Sequence, residues 1–258
     1  MVKLTDCNLN YEKNGKGPVI VFVHGLSDDL NFWKPLTSYY EKNYTTIAID
    51  NRGHGKTTYK NGTISMPQLQ EDIYQLLQYL KIKKVILIGF SMGGNISLSF
   101  TIHHPEMVEK LILMSSFSKT SPELREQFGD IYCDLDKGLG EFYDAMIPLV
   151  LPEDVICKYE DALEHGREKC LTKNQEGIKE SIIAGLEFDV TDKLKNITQP
   201  TLIIGGKDDC LTPNELMIKI NNEIPDSKLV FLENTKHNIL IPSNINKIRE
   251  LVDEFIEN

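Results

Sequence analysis

Ser91 stands in the pentapeptide Gly89-Phe90-Ser91-Met92-Gly93, a G-x-S-x-G pattern. Four β-favouring residues, Val85 to Ile88, precede it. A small-residue run from Gly94 to Phe100 follows and reads as helix. Strand, tight turn and helix in that order form a nucleophile elbow, in which a sharp, strained turn lifts a serine hydroxyl into a pocket. Gly89, Gly93 and Gly94 supply the small residues that let strand and helix approach. A serine hydroxyl is a poor nucleophile alone. It needs a base, a group to orient that base, and donors for the oxyanion that develops on attack. The N–H of Met92, at the helix start, is placed to be one such donor.

A second donor candidate follows the continuous apolar run Val19 to Val23, which reads as a strand buried on both faces of a parallel sheet. His24-Gly25-Leu26 comes directly after it. Ligands bind at this end of a strand in open α/β sheets, and a small Gly25 lets the backbone approach. The Leu26 N–H then supplies half of an oxyanion hole; the alternative is a plain strand-to-loop turn. Trp33, the only tryptophan, is a candidate for the pocket wall or for the core, and Phe90 for the pocket. Thr45 to Ile49 reads as the next strand, with the loop Asp50-Asn51-Arg52-Gly53-His54-Gly55 after it. His54, among glycines, fits a loop-bracing hydrogen bond better than a base. Ser65 and Gln68 have capping-box spacing, and Met66, Leu69, Ile73, Leu76, Leu77 and Leu80 keep a helical rhythm. That helix returns the chain, by a right-handed crossover, to the strand feeding Ser91.

Composition bounds the rest. A chain of 258 residues, 41% of them apolar, is long enough for one large domain with its own core. Thirty-eight acidic residues against 28 basic ones give a net charge of −10, which opposes nucleic-acid and anionic-membrane binding. Five scattered cysteines, with no C-x-x-C spacing, fit reduced thiols better than zinc or disulfides. No apolar run reaches the ~18 residues of a membrane span, and the N-terminus has no signal-like apolar core. A cytoplasmic protein, monomer or homodimer, is expected.

His24-Gly25, Asp50-x-Arg52-Gly53-His54-Gly55 and Gly89-Phe90-Ser91-Met92-Gly93-Gly94 together resemble the α/β-hydrolase superfamily, in its small esterase, lactonase and haloperoxidase-like branch. The resemblance covers residues 2–118 and 189–258. It implies an α/β fold with a mostly parallel eight-stranded sheet flanked by helices, residues 1–118 and 189–258 forming the core. Residues 119–188 break the strand–helix alternation, with helical patterns from Ser121-Pro122 and near 138–149, 152–165 and 174–184. They are similar to the family's helical cap. Tyr132, Phe142, Tyr143, Met146 and Ile147 are candidates for its pocket side.

After the strand Thr201 to Gly206, Asp208 and Asp209 compete as the acid. The family places it three residues after glycine and four before proline, which matches Gly206, Asp209 and Pro213. In this family the triad runs Ser, Asp, His, and of six histidines only His237 follows Asp209. The family usually has glycine before this histidine; here Lys236 stands there. Thr57 likewise replaces a commoner serine. The resemblance implies hydrolysis of a small ester, thioester or lactone, with Ser91, Asp209 and His237 as triad, a small acyl substrate and water, and no metal or organic cofactor. The same triad serves carbon–carbon bond hydrolysis, lyase and perhydrolase chemistry, and the fold also builds non-enzymatic ligand sensors.

Overall fold

The computed structural model describes residues 1–257. Two short strands, β1 (Val2–Lys3) and β2 (Cys7–Leu9), lead into β3 (Tyr11–Asn14) and the buried β4 (Val19–Val23). Helix α1 (Lys34–Tyr40), strand β5 (Thr45–Ile49) and strand β6 (Thr58–Tyr59) follow. Next come α2 (Met66–Tyr79), β7 (Val85–Phe90), α3 (Met92–His103) and β8 (Val108–Met114). Five helices then run without an intervening strand: α4 (Pro122–Lys137), α5 (Leu139–Val150), α6 (Glu153–Lys158), α7 (Glu160–Cys170) and α8 (Gln175–Leu186). The chain closes with β9 (Thr201–Gly206), α9 (Asn214–Glu223), β10 (Ser227–Leu232) and α10 (Ile245–Glu257).

The main sheet has seven strands in the order β10-β9-β8-β7-β4-β5-β3, not eight. Six are parallel and the edge strand β3 is antiparallel to β5. The N-terminal residues leave this sheet because Asn10 interrupts them. Its N–H goes to the Thr57 hydroxyl (2.9 Å) and its carbonyl takes the Asp50 N–H (2.9 Å). Strand β2 instead pairs with β1 on one side and β6 on the other, in a separate three-stranded antiparallel sheet.

Because successive side chains of a strand point to opposite faces, the continuous apolar strands feed two cores at once. Val21 and Val23 of β4, Leu87 of β7 and Leu113 of β8 pack with α2, α3 and α9 on one face. Phe22, Ile88 and Ile112 pack with Leu36 and Tyr40 of α1 and Leu251 and Val252 of α10 on the other. Ser65 caps α2 as its spacing predicts, accepting the Gln68 N–H at 3.3 Å. Helix α3 is buried from Met92 to Thr101. Two of its hydroxyls are satisfied inside the helix, Ser97 donating to the Gly93 carbonyl (2.7 Å) and Thr101 to that of Ser97 (2.8 Å).

Helices α4 to α8 have a small core of their own, with Ile131, Leu135, Phe142, Ile178 and Ile182. The helix expected over 152–165 is two helices, broken at Tyr159, whose backbone (φ −121°, ψ 33°) leaves the α conformation. A fully buried ion pair holds the loop after β5: Arg52 meets Asp72 of α2 through two hydrogen bonds, 2.9 and 2.7 Å. Removing one partner strands the other charge out of water. Asp72→Asn is therefore expected to lower stability by about 3–5 kcal/mol, read as a drop in the urea midpoint at unchanged slope.

Candidate active site

Ser91 occupies the turn between β7 and α3 with φ 51° and ψ −119°, a left-handed conformation unfavourable for a residue with a side chain. The surroundings hold it there. Its N–H donates to the Met114 carbonyl (2.8 Å), and its own carbonyl accepts from the Gly94 N–H and the Ser116 hydroxyl. Gly93 must be glycine, since a Cβ would run into the carbonyl oxygens of Val23 and His24 on the neighbouring strand.

Three loops at the carboxyl end of the sheet meet over this turn. His237, in the loop after β10, places Nε2 2.9 Å from Ser91 Oγ. Its Nδ1 lies 2.9 Å from Asp209 Oδ2, in the loop after β9. Side chains 146 and 28 residues apart in sequence thus form one hydrogen-bonded line. Asp208, the competing aspartate, engages the same region only through its backbone N–H, which donates to the Thr235 carbonyl at 2.9 Å. The Asp209 carboxylate also accepts from the backbone N–H groups of Leu211 and Thr212, both at 2.9 Å, and from the Thr212 hydroxyl at 2.6 Å. Burial pushes the Asp209 carboxyl up; the facing imidazole and the Thr212 bonds outweigh that and hold it below the usual carboxylate range.

Leu26 and Met92 both face the cavity that holds Ser91 and His237. Among the described residues neither backbone N–H has a protein acceptor. The cavity is about 270 Å³ and mostly apolar. Phe90, Phe142, Tyr143, Met146 and Ile147 line it. Phe90 stacks on Phe32 (centroids 4.7 Å apart) and packs under the His237 ring at 5.2 Å. Trp33 is in the core and not the pocket wall. The turn Leu30–Trp33, capped by the Asp29 carboxylate on the Asn31 N–H, aims Phe32 at the cavity and drives the indole beneath it against Phe22. Tyr132 also lies outside the cavity, its ring facing the Lys179 ammonium at 5.5 Å.

Residue patterns left several contributors unmarked. Thr212 grips Asp209 and sits 3.1 Å from His237 Nδ1; its only trace in the sequence is a hydroxyl residue three positions after the aspartate. Asp28 and Lys173 bring charge to a mostly apolar wall. Burial, with Asp29 nearby, pushes the Asp28 carboxyl up to about 6 against the pull of Lys173 and His237. Lys236, where the family favours glycine, donates to the Pro148 carbonyl of α5 at 2.7 Å. The Asn238 N–H takes the Val150 carbonyl at 3.0 Å, and Cys210 Sγ reaches that of Leu149 at 3.7 Å. The last turn of a helix leaves such carbonyls without intrahelical partners. Here residues flanking the acid and the imidazole satisfy three in a row.

His54 braces its loop: Nε2 accepts the Ser27 N–H (3.1 Å), and Nδ1 is 3.1 Å from the Arg52 carbonyl. His24 does the same one loop away, Nε2 accepting the Asn51 N–H at 3.0 Å. Among the described residues no group of three or more His, Cys, Asp or Glu is arranged to hold a metal ion.

A family model described as the alpha/beta hydrolase fold matches residues 18–148, more than half of the chain. The chain belongs to this family. It is 24% identical over 246 residues to RutD of Agrobacterium fabrum, a protein provisionally named a carbamate hydrolase, covering 90% of this chain and 92% of that one. It is 27% identical over 209 residues to 3-oxoadipate enol-lactonase 2 of Acinetobacter baylyi, covering 80% and 78%. The crystal structure of MGS-M2, an alpha/beta hydrolase enzyme from a Medee basin deep-sea metagenome library, superposes with a TM-score of 0.91 at 23% identity, over 98% of this chain and 95% of that one. This hydrolase therefore carries the family fold over nearly its whole length.

Burial pushes His24 down to about 4 and His54 down to about 3, each below the ordinary value of 6.5. Both stay neutral in the folded hydrolase while the unfolded chain takes up their protons below pH 6.5. Stability is then fully present above pH 6.5 and is lost as pH falls toward 4, by about 1.4 kcal/mol per pH unit for each group. Urea unfolding between pH 4.5 and 7.5 is expected to show that slope, and His54→Gln to flatten it while lowering stability at neutral pH.

Proposed function

We propose that this protein is a serine hydrolase that cleaves a small carboxylic ester, thioester or lactone through an acyl-enzyme on Ser91. The observation that carries the reading is the unbroken line from Ser91 Oγ through His237 to Asp209, both links 2.9 Å, opening into an apolar cavity. His237 Nε2 takes the Ser91 proton as the oxygen attacks the carbonyl carbon. Asp209, kept ionised, fixes the imidazole tautomer and stabilises the imidazolium. The Leu26 and Met92 N–H groups receive the oxyanion. His237 then protonates the leaving group and deprotonates the water that frees the acid.

The apolar lining favours a substrate whose acyl or alcohol part is a short hydrocarbon chain or ring. The names of the two relatives, carbamate hydrolase and enol-lactonase, both denote acyl compounds open to the same attack. Helices α4 to α8 would act as a cap, excluding water and setting chain length. Five free cysteines, the net charge of −10 and the lack, among the described residues, of a helix long and apolar enough to cross a membrane are compatible with a cytoplasmic monomer or homodimer.

The test is steady-state turnover of p-nitrophenyl esters from acetate to decanoate, with lactones followed by acid release. Short esters should be hydrolysed fastest, and Ser91→Ala should lower kcat by roughly 10⁶. Native turnover by Ser91→Ala would exclude an acyl-enzyme, and no turnover of any ester, thioester or lactone would leave a ligand-binding role for the same cavity.

A further inference from the structure

Ser27 is held through its N–H and its carbonyl by groups that come from different parts of the chain. Its N–H donates to His54 Nε2 in the loop after β5. Its carbonyl accepts from Lys173 Nζ, which stands in the short connection between α7 and α8. Lys173 is thus a point where helices α4 to α8 touch the loop after β4, and it also lines the cavity. Ser27 has φ 62°, a left-handed conformation that a residue with a side chain keeps only where the surroundings over-determine it.

What lies next to this residue gives the contact its consequence. Asp28, one position on, donates its N–H to the Gly25 carbonyl at 3.4 Å, and His24 Nδ1 sits 2.8 Å from the same oxygen. The Gly25 carbonyl and the Leu26 N–H belong to one planar peptide unit and point in opposite directions. Fixing the oxygen therefore aims the N–H. The contacts run from the Lys173 ammonium to the Ser27 carbonyl, along the backbone to the Asp28 N–H, to the Gly25 oxygen, and so to the Leu26 N–H.

Resting on the acyl-transfer reading above, we infer that Lys173 is a positioning residue: by gripping the Ser27 carbonyl from the helical segment, it sets the aim of the Leu26 oxyanion donor. The donor is properly directed when helices α7 and α8 are seated over the cavity. Seating of this segment and readiness for the transition state are thereby one event. His54 performs the fixed half of the grip; neutral at Nε2, it accepts the Ser27 N–H whether or not the helices are seated.

The experiment compares wild type with Lys173→Met, which keeps the length and removes the donor, and with Lys173→Arg, which restores a cationic donor. Outright loss of one oxyanion donor costs on the order of 10² to 10³ in rate; a misaimed donor should lower kcat for a p-nitrophenyl ester by about tenfold. KM should stay within about twofold. The inhibition constant of a phenylboronic acid, whose tetrahedral adduct on Ser91 places an oxygen in the same hole, should rise by the same factor as kcat falls. Lys173→Arg should recover most of both. Amide hydrogen exchange over residues 24–30 should quicken in Lys173→Met and return in Lys173→Arg. A rise in KM at constant kcat would overturn the inference and make Lys173 a substrate contact. So would unchanged exchange over 24–30. Since exchange is read without substrate, it decides on Lys173 even if wild type hydrolyses none of the esters, an outcome that would sink the acyl-transfer reading instead.

Discussion

Everything at the carboxyl end of the sheet is built around one strained residue. Ser91 sits at φ 51° because a strand must turn into a helix within a single residue, and no relaxed conformation of an L-residue makes that turn. The strain is tolerable only if strand and helix are already locked together. Gly93 against the Val23 and His24 carbonyls allows the close approach, and the Met114 and Ser116 contacts clamp the peptide. The cost, on the order of 1–3 kcal/mol, is spread over a core in which four adjacent strands are apolar on both faces. A looser sheet would let the turn relax and the hydroxyl drop out of line with His237.

The same end of the sheet concentrates buried polarity, and the charged and imidazole groups there are satisfied by loops. Asp50 illustrates the economy. Its carboxylate accepts from the Leu30 and Lys56 N–H groups and the Asn10 amide, at 2.7–2.8 Å, tying three segments to the end of β5. Arg52 and Asp72 tie that loop to α2, and His24 and His54 tie it to the loop after β4. Buried networks of this kind are worth having only when complete. The bonds that Asp50, Arg52, His24 and His54 make hold the loops rigid enough to keep N–H donors without protein acceptors, which a flexible loop would turn toward its own carbonyls.

Two of the places where helices α4 to α8 join this rigid floor are of opposite character. Lys173 reaches down to the loop that carries Leu26, while Lys236, Cys210 and Asn238 reach up to the open carbonyls at the end of α5. One contact bears on the proposed Leu26 oxyanion donor, the other on the acid and base loops. The lysine that stands where the family favours glycine is therefore not an intrusion near the pocket rim, because its charge is spent on a helix terminus.

How much of this the amino-acid sequence discloses follows from the range of each interaction. Local periodicity suffices for β4, β7 and β9 and for the Ser65 cap of α2, since each is decided within a few residues. The sheet loses an expected strand because Asn10 bonds to Asp50 and Thr57, 40 and 47 residues away. Trp33 escapes the pocket for a similar reason: the Asp29 cap fixes a short turn whose phase, not its composition, decides which aromatic faces the cavity. Thr212 is intermediate, with its spacing from Asp209 visible and its reach to His237 not. Lys173 is the extreme case. Nothing in Leu171-Thr172-Lys173-Asn174 distinguishes it from a solvated surface lysine, and its partner is a backbone carbonyl 146 residues away. Backbone partners leave no signature in side-chain patterns, so contacts that aim a peptide unit are the ones a sequence conceals and a structure supplies. In a site whose proposed donors are themselves backbone N–H groups, those hidden contacts bear directly on the chemistry.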